Sequence, residues 1–106
     1  MKRDRHLQSV LGALSIFGEN TRAALLLELE KQGVSFDSDN FDIQKFCRVV
    51  ELILDNWSDM IFIKIIEDIC EQSGTSVEDL GLGGRAKFVK RSELFKDVFL
   101  KIKAKR

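Results

Sequence analysis

The chain has no proline and no tyrosine, and holds one histidine, one tryptophan and two cysteines in 106 residues. Without proline, no helix interior is broken by a missing backbone N–H. Four of the seven glycines fall within residues 74–84, which leaves most of the chain free of helix breakers. These absences favour helix over sheet. The two thiols, Cys47 and Cys70, stand in apolar stretches with no second metal-type ligand at short spacing, which argues against a disulfide framework or a zinc site. They are expected as buried thiols of a cytoplasmic protein. Long apolar runs are also lacking: the strongest, Met60 to Cys70, is interrupted by Lys64, Glu67 and Asp68 and cannot serve as a transmembrane span. The start, Lys2 to His6, has the charge of a leader's first region. The apolar run behind it carries Gln8 and Ser9 and ends at Gly18 with no evident cleavage site, so no signal peptide is expected.

Net charge is absent too, but only because two biases cancel. Residues 82–106 carry nine Lys or Arg against Glu93 and Asp97, a balance of +7; residues 1–6 add +2, and residues 7–81 carry −9. An acidic body with basic ends either folds the ends onto itself or offers them to an acidic partner. With 44% hydrophobic and 32% charged residues, the composition is that of one globular domain, too short for two separate cores.

What is present repeats every three to four residues. Leu7, Val10, Leu11, Leu14 and Phe17 share one face of a helix that Gly18 stops. A second helix is expected from an Asn20 cap through Ala23, Ala24, Leu25, Leu26, Leu27 and Leu29 to Gln32, short and largely buried, ending at Gly33. The polar run Asp37 to Asn40 offers caps to a third helix, about 41–55, with Phe46, Cys47, Val49, Val50, Ile53 and Leu54 inward. Asn56 or Ser58 can cap a fourth, about 59–72, whose wide apolar surface (Ile61, Phe62, Ile63, Ile65, Ile66, Ile69, Cys70) makes it the central helix. Thr75 with Glu78 has the form of a capping box for one short turn. The expected fold is therefore all-α, a compact bundle of about five helices: residues 1–80 form the bundle, 81–87 a Gly-rich linker, and 88–106 a basic amphipathic C-terminal helix.

The pattern Gly12-Ala13-Leu14-Ser15 to Gly18, then Ala24 to Leu29 ending in Lys31-Gln32-Gly33-Val34, then Phe46 with Leu52 to Asn56 and Ile61 to Ile69, resembles small archaeal helical output domains of the Nitrosopumilus type over residues 7–72. Asp55-Asn56 stand where that pattern has Phe-Gly. The resemblance implies a regulatory or interaction module, and carries over no catalytic residue and no cofactor.

Among possible chemical sites, Asp37-x-Asp39 has the spacing of the first two ligands of a calcium loop. Asp42 then replaces the required glycine and Arg48 the bidentate glutamate, so capping is the better account. Gly81, Gly83 and Gly84 before Arg85 and Lys87 lack the Lys-Ser/Thr of a phosphate loop and read as a hinge. His6 has no evident orienting partner, and Glu28 with Glu30, like Glu67 with Asp68, diverge on their helices. No cofactor or metal is expected, and an enzyme ranks third among the readings.

The most informative feature is the C-terminal helix. Leu94, Phe95, Val98 and Phe99 are expected to meet a partner, with Lys90, Arg91, Lys96, Lys101 and Lys103 at the rim. The alternative is that the four apolar side chains pack on the acidic body and the lysines are solvated. The leading expectation is a non-enzymatic protein–protein interaction or regulatory module that self-associates, a homodimer or a complex with an acidic partner. The second is a nucleic-acid-binding transcriptional regulator using the basic helix, although only Arg91 and Ser92 could reach base edges.

Overall fold

A computed structural model describes the backbone of residues 5–36 and 40–104, and the side chains of residues 7–36 and 40–102. Helix α1 spans Arg5–Ala13 and tightens into a 3-10 turn, Leu14–Phe17; α2 spans Glu19–Lys31, α3 Ile43–Leu54, α4 Ser58–Gln72 and α5 Arg91–Ala104. A second 3-10 turn, Asp55–Trp57, joins α3 to α4, and a third, Arg85–Lys87, precedes α5. The fold is all-α, with no strand among the described residues. Its radius of gyration of 13.1 Å matches a compact domain of about this length.

Helix α4 is the centre. Ile61, Phe62, Ile65, Ile66, Ile69 and Cys70 are buried, and α1, α3 and α5 all pack against it. A train of phenylalanines runs through the core. Phe62 and Phe95 stack at 5.7 Å, Phe46 meets both edge-on, and Phe41 and Phe36 extend the cluster from the segment before α3. Such pairs add about 0.5–1.5 kcal/mol each beyond the area they hide. The buried polar side chains Ser9, Ser58 and Ser92 are each bonded: Gln72 donates to Ser9 Oγ at 2.7 Å, Ser58 Oγ to the Asp55 carbonyl at 2.7 Å, and Ser92 Oγ to Glu51 Oε2 at 3.2 Å. That agrees with the rule that buried polar atoms are paired.

Several local expectations need correction. Helix α2 begins at Glu19, because Gly18 adopts φ +98° and turns the chain without a side-chain cap, so Asn20 lies inside the first turn. It is also a surface helix: only Leu25 and Leu29 are buried, while Ala23, Ala24 and Leu27 face out. Ile53, expected inside, is 40% exposed; it stands in the last turn of α3, next to the 3-10 turn and beyond the buried Phe46, Cys47, Val49 and Val50. Asp42 is the α3 cap, accepting from Lys45 N at 3.0 Å; Asp37 and Asp39 lie outside the described residues. The short turn after Gly74 does form, over residues 77–80, with Leu80 N donating to the Ser76 carbonyl, but its cap is Ser76, whose Oγ accepts from Asp79 N, and not Thr75.

Residues 81–87 are not slack. Leu80 and Leu82 are buried, Gly81 turns at φ +79°, and Leu82 N and Ala86 N donate to the carbonyls of Val77 and Leu82. A linker would leave these backbone groups to water. Here they close successive turns, and Arg85 pairs with Asp97 across to α5.

Candidate functional site: an apolar surface around Trp57

The C-terminal helix spends its apolar face inside the molecule. Leu94, Phe95, Val98, Phe99 and Ile102 are all buried, which corrects their expected place at an open docking surface. The physical reason is supply: α4 has apolar residues on more than one side, and α5 covers the side that α1 and α3 leave. Of the expected rim, Lys90 and Lys101 are exposed and Arg91 is half-buried. Lys96 is engaged within the fold, donating to Gln44 Oε1 at 3.1 Å and to Glu93 at 2.6 Å. The bond to Glu93, more than any other influence, raises its affinity for its proton. The Lys103 side chain lies outside the described residues. Arg85 is likewise committed, held charged first by its hydrogen bond to Asp97.

The other candidate chemistries are also placed. Cys47 and Cys70 are buried free thiols. Burial pushes Cys47 up to about 12 from 9.0, with Lys96 opposing and Glu51 and Glu93 adding to the rise; burial, then Glu78, raises Cys70. A thiolate is thereby disfavoured at both. Asp68 pairs with Lys64 at 3.3 Å, and Glu28 accepts from Gln32. Among the described residues, no three His, Cys, Asp or Glu side chains gather as a metal site would require. The His6 side chain lies outside the described residues.

The feature the sequence reading missed is at the junction of α3 and α4. Trp57 is 63% exposed and stands edge-on to Phe17 at 6.1 Å, with their planes at 82°. Phe17, Thr21, Leu54 and Trp57 line a groove of about 280 Å³. A second groove, about 390 Å³, is lined by Ile16, Met60, Ile63, Lys64 and Glu67. The two linings are neighbours in the chain: Ile16 precedes Phe17, and Met60 follows Trp57 by three residues. Ile16, Phe17, Leu54, Trp57, Met60 and Ile63 supply the apolar lining of this strip.

The turn that carries Trp57 is strained. Asp55 adopts φ +50°, ψ −118°, a backbone conformation rarely used by side-chain-bearing residues, and the Ser58 hydroxyl holds its carbonyl. That bond fixes the turn from which Trp57 projects. The strip was legible in one respect: Met60, Ile63, Lys64, Glu67 and Glu71 recur at three and four, so Met60 and Ile63 share the face of α4 that its polar residues mark as solvent.

These observations define a small all-α domain with an exposed aromatic and aliphatic surface. Compared with protein-family models, with curated proteins and with solved structures, the chain finds no match. No described helix is long and apolar enough to cross a membrane.

Proposed function

We propose that the chain is a non-enzymatic protein–protein interaction module whose contact surface is the strip Ile16, Phe17, Trp57, Met60 and Ile63. The carrying observation is a solvent-exposed indole, braced by Phe17 and lining an apolar groove, with a second groove lined by Ile16, Met60 and Ile63. Tryptophan held in this way is typical of the anchors that supply most of an interface's energy, since a rigid aromatic loses little conformational entropy when covered. Contiguous apolar surface of this kind is uncommon on monomers unless a partner covers it. The placement also bears on the basic helix: with Arg85 and Lys96 paired internally, fewer cations remain for phosphate contact, which favours a protein partner over nucleic acid. A regulatory role, as in the archaeal output domains, would be a use of this surface.

The sole tryptophan makes the test direct. A displayed library of amphipathic helical peptides is selected on the protein, and binders are titrated while Trp57 emission is followed. Binders are expected to shift the emission to the blue and to lose at least tenfold in affinity against Met60→Asp or Ile63→Asp. A selection yielding only peptides indifferent to these substitutions, or tight salt-sensitive binding of duplex DNA or RNA without an emission change, would overturn the reading in favour of another surface.

A further inference from the structure

The Trp57 groove needs an occupant, and this chain itself carries a side chain suited to it. Phe88 lies outside α5, between the turn Arg85–Lys87 and the first residue of the helix, and is 88% exposed, the most exposed large apolar side chain among the described residues. A phenyl ring so placed gains nothing from its own fold and stands in water at a cost. Its neighbours in the chain, Lys87 and Lys90, are exposed cations, whereas the exposed acids Glu19, Asp55 and Asp59, with the half-buried Arg22, stand within two residues in the chain of Phe17, Thr21, Leu54 or Trp57. An apolar side chain flanked in the chain by cations thus matches an apolar groove whose lining residues are flanked in the chain mostly by acids.

The two features also lie toward the same end of the molecule. Ser92 Oγ bonds Glu51 Oε2, which seats the start of α5 beside the last turn of α3, and that turn leads through Asp55 directly into Trp57. A knob and groove on one end can be satisfied reciprocally about a two-fold axis, where each copy gives what the other receives, and that closed symmetry is the commonest among oligomers.

We infer that a second copy of this chain occupies the groove, each copy seating its Phe88 against Phe17 and Trp57 of the other, with Lys87 and Lys90 facing Asp55 and Asp59. This rests on the interaction surface proposed above and names its partner. Phe88 is then the specificity element, since the ring and its flanking charges select a border of opposite sign.

The test is solution mass against concentration, by sedimentation equilibrium, for the full chain and two variants. The wild type is expected to rise from 12.1 kDa toward twice that mass, with Trp57 emission moving to the blue in step. Phe88→Asp and Trp57→Asp should each weaken association at least tenfold, and an equimolar mixture should associate more strongly than either alone, because one knob and one groove remain intact in the mixed pair. Thr21→Arg, which blocks the groove without removing the indole, serves where Trp57→Asp disturbs folding. Phe88 is too exposed for its replacement to unfold the chain. A wild type that stays at 12.1 kDa, association unaffected by Phe88→Asp, or a mixture no stronger than its components would overturn the inference. A monomeric wild type that still binds selected peptides at Met60 and Ile63 would sink the self-pairing and leave the interaction module standing.

Discussion

Ser58 donates its hydroxyl to the carbonyl oxygen of Asp55 at 2.7 Å, and Asp55 is the one non-glycine residue with positive φ among the described residues. The bond pins a strained turn directly beneath Trp57. Ser58→Ala should cost about 1 kcal/mol, the net worth of one hydrogen bond, and Asp55→Gly should raise stability by about 1 kcal/mol by relieving the backbone. Urea titrations of the two variants check both signs. A stabilising Ser58→Ala would show that the turn does not depend on this bond.

Phe95 and Phe88, seven residues apart, should behave as opposites. Phe95 is fully buried against Phe62 and Phe46, so Phe95→Ala is expected to cost about 3–5 kcal/mol. Phe88→Ala should stay within about 0.5 kcal/mol, measured at protein concentrations low enough to keep the chain monomeric. Equal effects in denaturant titrations would contradict the placement of α5. Ile66→Ala should likewise cost about 2–5 kcal/mol, since Ile66 is buried in α4.

Cys47 should make stability fall in alkali. Its folded-state pKa is raised from 9.0 to about 12, so the stabilisation is complete below pH 9, where both states hold the proton. It is lost as pH rises through 9 toward 12, because the unfolded thiol ionises first. The expected loss from Cys47 between pH 8 and 10 is about 1 kcal/mol, and Cys47→Ala should reduce the slope by that amount, leaving the part that Cys70, also raised, contributes. Lys96 does not mimic the effect in this window, since its own pKa is raised above 10.5. In the native protein Cys47 should also resist thiol reagents at pH 8; rapid labelling would place it at the surface.

Trp57, at 63% exposure, should emit as a solvated indole in the monomer and be quenched efficiently by acrylamide. Unfolding should then shift its emission by only a few nanometres. A large red shift on unfolding would mean that the ring is buried in solution.

The helical class was legible because Leu7, Val10 and Leu14, or Phe62, Ile65, Ile66 and Ile69, repeat with the period of a helix, and these residues are indeed buried. The fate of α5 was not. Periodicity gives a helix an apolar face but does not say whether its own chain or another covers it, and Leu94, Phe95, Val98 and Phe99 turned inward. The site at Trp57 escaped for the converse reason. It is assembled from Phe17, Thr21, Leu54 and Trp57, which lie up to 40 positions apart and meet only through the packing of two 3-10 turns. Ile53 continues the inward spacing of Phe46, Val49 and Val50, but that pattern does not hold in the last turn of α3, and Ile63 belongs by helix phase with the exposed Lys64 and Glu67.

The stack of Phe62 on Phe95 has a consequence for biosynthesis. Helix α4 needs α5 to cover it, yet α5 leaves the ribosome about thirty residues after α4, roughly the length of chain an exit tunnel can hide. During that interval the side of Phe62 and Phe46 that Phe95 covers stays open, although α1 and α3 can already pack on the rest of α4. A nascent chain stalled before α5 emerges is therefore expected to recruit chaperones that recognise apolar segments, and release of those chaperones should coincide with the appearance of Phe95.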